Sequence, residues 1–570
     1  MKSQTIPPQL EEQEVASATF CLDVRSEVMR RSIEGIGAYK TYGAGGFLGI
    51  PIAFVEFDKA HELFLSPAIV KPQNVVFELP VESHEEYSSK KGLNKTTKKI
   101  LSDLKNNPYT PYIMVEAIGW IFGINLFGKT FLPQRTNKFF SRLKPSKPKT
   151  TYTLDKLSLE EIEFYVTKLH IKIIHSVMDE HSKKDYSEDE IEILRNHLIY
   201  NADLSIEVSD EILEKLKTTY QITTQDYEYQ KSKLAMVGFT LEEKVHYLHN
   251  YLKMIGQVDS FPSFVTIIGH GSVSDNNPFE SALDCGACAG NVSLPNTRTL
   301  CMIANTKEVR DVIKEKGINI PDNTVFIPGL HITSTDEIKF YDTDILNDEQ
   351  SKEFKKVEED FKQATALSRQ ERSLSLPFTK TDKAMSIKSM DWSETRPEWG
   401  LARNMGVFAG PREFTKHLSL NNRFFMHSYD WKIDNEEADI LTAIFNGPLI
   451  IGEWINLEHY FSTVDNHVYG AGSKVYHNIV SKVGVFSGNY SDLKIGLPIQ
   501  SVFLEGEAYH EPVRLISFVE APLEIVGKAV ENSIAKEFIL NEWIRPIIID
   551  REAKKVYAYE YGEFIVIKEL

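Results

Sequence analysis

Residues 16–27 read ASATFCLDVRSE, and the fold follows from how this stretch is divided. Ala16 to Leu22 is β-branched and aromatic in character and runs into Asp23. Ser26-Glu27 then opens a helix-like VMRRSIE that stops at Gly35. The reading is strand, short turn, helix. Cys21, Asp23 and Arg25 therefore stand at the carboxyl end of a strand, where open α/β sheets hold their ligands.

The same grammar recurs further along the chain. Thr240-Leu-Glu-Glu243 is a capping box for a helix with Val245, Leu248, Leu252 and Ile255 on one face, and Gly256 ends it. Phe264 to Ile268 reads as a buried parallel strand that delivers Gly269-His270-Gly271. A third unit has a helical pattern over 307–316, Gly317 as a stop, and a strand Thr324 to Ile327 leading to His331. Three strands that each end in polar chemistry predict an α/β fold with a parallel sheet, its carboxyl edge carrying the site. Between the first two units lies a long insertion, about residues 85–260, Lys-rich and loop-like at first and mostly helical later. In it Ser158-Leu-Glu-Glu161 caps a helix with Ile162, Tyr165, Val166, Leu169, Ile173 and Val177 on its predicted apolar face.

The core is expected over 16–345. The charged run DEQSKEFKKVEEDFKQATALSRQERS marks an exposed helix and linker over 346–385, and 386–570 form a C-terminal α+β portion packed on the core. Within that portion, Asp391 to Trp399, Gly470 to Lys474 and Gly488 to Asp492 read as loops with demanding backbone angles. No repeat of the solenoid kind occurs.

Composition restricts the function classes. The 570 residues are 42% hydrophobic and 25% charged, ordinary for a folded protein. A formal charge of −17, from 64 basic against 81 acidic residues, argues against a chain that coats nucleic acid. The four cysteines and the polar, acidic first fifteen residues indicate reduced thiols in the cytosol. Tyr112 to Gly128, YIMVEAIGWIFGINLFG, is apolar apart from Glu116 and Asn125. It suits a buried or partner-facing helix, an interfacial helix or a short span, and the basic run from Arg135 to Lys149 follows it.

The candidate metal-binding residues fall in two places: Cys21 with Asp23, and His270 with Cys285 and Cys288. Cys-x-Asp-x-Arg alone is weak, since a Cys at a strand end is more often a small hydrophobe and Asp-x-Arg an ion pair. With a His and a Cys from a neighbouring strand it becomes two thiolates, an imidazole and a carboxylate, a set that Zn²⁺ accepts. Spacing leaves Cys285 and Cys288 open as alternatives. Glycines on both sides of His270 allow the backbone to approach a ligand closely. Cys285-x-x-Cys288 also admits a redox pair, but Asp284 beside it would raise a thiol pKa. Gly43 to Gly46, GAGG, lacks the Gly-Lys-Ser/Thr ending of a phosphate loop. His331 with Thr333, Thr335 and Asp336 reads either as support for a ligand or as a surface turn.

Cys-x-Asp-x-Arg before a helix, with a later His and Cys, resembles the β-type carbonic anhydrases, although their His and second Cys are usually three apart and His270 and Cys285 are fifteen apart. The longer stretches FCLDVRSEVMRR, GHGSVSDNNPFESALDCGACAG, GLHITSTDE, DWSETRPEWGLA, HVYGAGSKVYHN and GNYSDLKIGLPIQSV resemble the DabA (MpsB) family over nearly the whole chain. That resemblance implies a β-carbonic-anhydrase-like core and Zn²⁺ on Cys21, Asp23, His270 and Cys285, with Arg25 as the partner of Asp23. It also implies a large peripheral subunit of an energy-coupled CO2/bicarbonate pump on the cytoplasmic side of the cell membrane, its partner the antiporter-like membrane subunit DabB. Family members carry a substantial region before the Cys-x-Asp-x-Arg strand, whereas twenty residues precede Cys21 here; a fragment, a split subunit or a displaced start is expected. The expected mechanism is a switch: Asp23 on zinc closes the site, and Asp23 on Arg25 opens it to water, so that CO2 is hydrated under control of a cation gradient. A closed structural zinc site in a scaffold and a stand-alone carbonic anhydrase are the alternatives.

Overall fold

A computed structural model describes residues 14–570 except 60, 83–84, 86, 93–94, 97–98, 100–109, 182–185, 276, 278, 380, 475–477, 481–483 and 487–492. The loop read at Gly488 to Asp492 thus lies outside the described residues.

The protein is mixed α/β. Strands β1 (Ala16–Cys21), β2 (Tyr39–Ala44), β3 (Phe264–Gly271), β4 (Val325–Ile332) and β5 (Glu337–Phe340) form one sheet in the order β2-β1-β3-β4-β5. The first four are parallel and β5 is antiparallel. The four parallel strands are buried on both faces, and their residues divide by parity. Val265 and Ile267 face Leu248, Tyr251 and Leu252, whereas Phe264 and Ile268 share a cluster with Met29 and Ile33.

Helix α1 (Ser26–Ile36) follows β1 as predicted, passing through Gly35 to reach Gly37 in extended backbone. The apolar stretch of the insertion becomes α2 (Thr110–Phe131), followed by α3 (Pro133–Leu143). Trp120, Ile124, Leu126 and Phe127 of α2 are exposed, so this face is not core. In α4 (Leu159–His181) the buried stripe is Ile162, Val166, His170, Ile174 and Val177, while the predicted Tyr165 and Leu169 are exposed. A polar His170, held by Gln230 at 2.9 Å, occupies the inward position that the apolar pattern assigned to its neighbour. Helix α5 (Leu241–Ile255) has both bonds of the Thr240/Glu243 capping box and ends at Gly256, φ 76°. A small sheet forms from Ile52–Val55, Leu63–Leu65 and Asn74–Pro80, which follow β2, and Thr150–Tyr152, which follows α3; the reading of the sequence did not anticipate it. Helices α6 (Leu294–Ala304) and α7 (Lys307–Glu315) lie between β3 and β4.

The charged run is one helix, α8 (Asp348–Ser373), but it is exposed on one side only. Phe354, Val357, Phe361 and Ala364 cover Ala16, Ala18, Phe20 and Ile327 of the sheet. The charges outnumber this narrow apolar stripe, which is why the run reads as solvated.

A second sheet repeats the topology of the first. Its strands β6 (Gly406–Gly410), β7 (Phe424–Ser428), β8 (Leu515–Glu520), β9 (Ile544–Asp550), β10 (Lys555–Glu560) and β11 (Glu563–Glu569) run β7-β6-β8-β9-β10-β11, the first four parallel, with β10 antiparallel to β9 and β11 antiparallel to β10. The two sheets meet at equivalent edges, β2 and β7: Met426 N–H donates to Leu22 O at 2.9 Å and Gly43 N–H to Ser428 Oγ at 2.9 Å. A Cβ at Gly43 would strike the Met426 carbonyl, so glycine sets this approach. Leu22 and Val24 insert into the core of the second sheet, while Cys21 between them and β1 stays with the first.

Candidate metal centre

Cys21 ends β1, and His270 lies one residue from the end of the adjacent β3, so the parallel ladder alone carries both to one sheet edge. Cys285 comes from the segment between β3 and α6. There Cys285 N–H donates to Asn291 O at 3.1 Å, and Ala289 and Gly290, φ 53° and 71°, close a tight loop. The donor atoms of Cys21, His270 and Cys285 lie within 4.8 Å of one another, and all three residues are buried.

Three observations test whether this group suits a metal ion. Both ring nitrogens of His270 are buried without a hydrogen-bond partner, an uncommon condition in a folded interior. Gly46 passes against both thiols: a Cβ there would collide with Cys285 Sγ and stand 3.1 Å from Cys21 Sγ. A hydrogen bond to Cys285 and burial push the Cys21 thiol well above its ordinary value. The bond from Cys21 pulls Cys285 down, but Cys288 and burial outweigh it and leave Cys285 raised as well. Thiols in such surroundings release their protons in exchange for a cation. The residues fit a borderline-soft ion; Zn²⁺ is compatible with two sulfurs and an imidazole, and the donor set by itself does not single it out.

Asp23 stands beside these donors and faces Arg25. Its Oδ1 accepts from Arg25 N at 2.8 Å and Nε at 2.9 Å, and its Oδ2 accepts from Nη2 at 2.8 Å. Burial would raise this carboxyl, but the Arg25 charge and hydrogen bonds outweigh it and hold it well below the usual carboxylate range. Oδ2 is also 3.4 Å from His270 Nε2. Of the four ligands expected from sequence, three converge and the fourth is held at their margin by its expected partner.

Of the two cysteines that spacing left open, Cys285 falls within the group of three donors, while Cys288 Sγ lies 3.8 Å from Asn296 Oδ1. Asp284 turns away and accepts from Ser272 N–H at 2.7 Å. Gly269 and Gly271 serve packing: a Cβ at either would press on Ser293 and Thr297 or on Val292 of the segment entering α6, not on a ligand. His331 is no surface turn; it is fully buried, with Nε2 3.1 Å from Asp336 Oδ1.

A cavity of about 30 Å³ adjoins the donors, room for one or two water-sized molecules. Its far wall belongs to the second half of the chain: Leu401, Phe425, Pro448, Ile451, Gly452 and Ile455. The last three lie on α9 (Ile450–Val464), and Pro448 sits in a π-helical turn, Phe445–Leu449, just before it. An outer pocket lined by Pro67, Ala68 and Trp454 shares Gly286, Ile451 and Ile455 with this cavity, so these three residues separate the donors from the surface. Sequence reasoning missed this apolar wall and Gly46. The GAGG run carried the only signal, a backbone that must approach something closely.

The family model for "probable inorganic carbon transporter subunit DabA" matches residues 2–544. Proteins of that description from a Hydrogenobaculum species, from Sulfurihydrogenibium azorense and from Aquifex aeolicus are 51%, 49% and 44% identical, over 97%, 98% and 98% of this chain. The chain spans 57%, 58% and 57% of their respective lengths. With the family model matching nearly end to end, the chain belongs to the DabA family.

Proposed function

We propose that this chain is the zinc-binding, carbon-handling part of an inorganic carbon transporter subunit, and that it hydrates CO2 to bicarbonate in one direction at a β-carbonic-anhydrase-like site. The observation that carries this reading is the convergence of Cys21, His270 and Cys285 beside an Asp23–Arg25 pair and an apolar cavity. Zn²⁺, when bound by those three residues, supplies the Lewis acidity that makes water a nucleophile near neutral pH. Arg25 keeps both oxygens of Asp23 occupied and so holds the carboxylate out of the donor set. In the other state Asp23 would leave Arg25 and stand as a fourth ligand beside Cys21, His270 and Cys285, which would close the site. The apolar wall of Leu401, Phe425 and Ile455 favours a small neutral molecule over an anion. DabB, an antiporter-like membrane subunit, is the proposed partner; it would hold this chain peripherally on the cytoplasmic side, and a cation gradient through it would bias the exchange of Asp23.

The test is a strain whose growth in air depends on this transporter, with metal content measured on the purified complex. Arg25→Ala is expected to keep zinc and lose carbon uptake. Retention of uptake by Arg25→Ala, or a wild-type complex without zinc, refutes the reading. Burial of every donor also favours a purely structural zinc site; in that case Arg25→Ala leaves uptake intact while Cys21→Ala unfolds the chain. Hydration by the chain without a membrane partner would identify a stand-alone carbonic anhydrase.

A further inference from the structure

Arg25 has a second carboxylate. Its Nη1 donates to Glu398 Oε1 at 3.0 Å, to Thr333 Oγ1 at 3.0 Å and to Leu283 O at 2.7 Å. Thr333 in turn donates its hydroxyl to the same Glu398 oxygen at 2.8 Å. The other oxygen of Glu398 accepts from Arg372 Nη2 at 3.1 Å, and Arg372 Nη1 reaches Thr333 O at 2.8 Å and bonds to Asp336, which also meets His331. Signs alternate along the row: Asp23, Arg25, Glu398, Arg372, Asp336. Side-chain exposure is 5% or less at every member, and 0% at Glu398. Glu398 comes from the DWSETRPEWGLA stretch and Thr333 and Asp336 from GLHITSTDE, two motifs that supply none of the three metal donors.

We propose that Glu398 is a positioning residue, the standing counter-charge of Arg25 that lets Asp23 exchange between the guanidinium and the metal. This rests on the exchange described under the proposed function. A buried guanidinium that loses its only carboxylate is strongly disfavoured, and breaking a buried pair in that way blocks the motion. Here the departure of Asp23 leaves Arg25 bound to Glu398, which is itself held by Thr333 and Arg372. Glu398 touches neither the metal donors nor the cavity, so it acts only through Arg25.

The experiment loads the full chain with Co²⁺ in place of zinc and reads the donor set from its absorption spectrum. Asp23→Asn, with no carboxylate to give the metal, and Arg25→Ala, with Asp23 released to it, supply the two reference spectra. The wild type is expected between them. Glu398→Gln is expected to shift the closed-to-open ratio at least about tenfold toward the Asp23→Asn spectrum, because Arg25 can then no longer release Asp23. Glu398→Asp should restore part of the shift. Thr333→Val, which keeps every charge and removes only the bridging hydroxyl, should shift the ratio the same way by a smaller factor, and it serves if Glu398→Gln does not fold. If Glu398→Gln or, failing that, Thr333→Val gives the wild-type spectrum while the references differ, Glu398 has no such role and the exchange stands. If the references coincide, or the wild type matches Asp23→Asn, the exchange itself is wrong and this inference falls with it.

Discussion

Replacing Gly46 by alanine adds one methyl group to the metal centre and changes nothing else. Its Cβ would collide with Cys285 Sγ and stand 3.1 Å from Cys21 Sγ, so both proposed sulfur donors meet it. In the metal-free chain either thiol can rotate away. Once both sulfurs are fixed on an ion they cannot, and the strain falls on the bound state. Overpacking of this kind costs about 1–3 kcal/mol. At about 1.4 kcal/mol per decade, zinc affinity should fall roughly 5- to 150-fold. Competition against a chromophoric chelator measures the affinity directly. The rise in unfolding temperature on adding zinc should shrink in step, since binding to the native state is what raises it. Gly45→Ala is the control: a Cβ there meets Phe47 at 3.4 Å and Pro448 at 3.9 Å, ordinary contacts, and affinity should be unchanged. If Gly46→Ala binds zinc as tightly as the wild type, the two thiols do not hold the ion.

Cys21→Ser should lose bound zinc, whereas Cys288→Ser, whose sulfur faces Asn296, should keep one equivalent by metal analysis. Glu453 on α9 is fully buried with neither oxygen hydrogen-bonded, and burial pushes it up to about 8. Because the folded value is raised, its stabilising contribution is complete below about pH 4.3 and is lost as pH rises through 8. Glu453→Gln should therefore unfold at the wild-type temperature at pH 4 and above it at pH 9; equal temperatures at pH 9 would refute the assignment. Phe361→Ala on α8 removes a ring that packs 5.3 Å from Phe340 and 5.9 Å from Tyr39, and should cost about 3–5 kcal/mol in denaturant unfolding. A loss below about 1 kcal/mol would mean that α8 does not cover the sheet.

Much of the first sheet was legible because its signals are local. The capping box at Thr240, the stop at Gly256 and the apolar run at Phe264 each depend on a few neighbouring residues, and each element formed where expected. Cys21 and His270 were placed for a similar reason, since each sat at or just beyond the end of a predicted strand, whereas Cys285 lies well past the predicted strand end at Ile268 and spacing did not separate it from Cys288. The face of α4 was not, because Tyr165 and Leu169 are apolar without being inward. Periodicity cannot rank two overlapping stripes when the inward one contains a histidine. The charged face of α8 hid its apolar one in the same way.

Sequence alone placed Cys21 and His270 at the carboxyl edge of a parallel sheet, because strand direction and order bring such termini together whatever surrounds them, and left Cys285 and Cys288 as alternatives beside them. Only the tertiary structure decided what encloses them. The second sheet repeats the topology of the first and meets it edge to edge at β2 and β7, and its Phe425 joins Leu401, Pro448 and the start of α9 in the apolar wall of the cavity. Glu398, more than 370 residues from Arg25 in the chain, becomes its second carboxylate. These contacts have no local signal: they depend on the packing of distant segments, and a carboxylate or a leucine reads the same in sequence whether solvent or a guanidinium lies beside it.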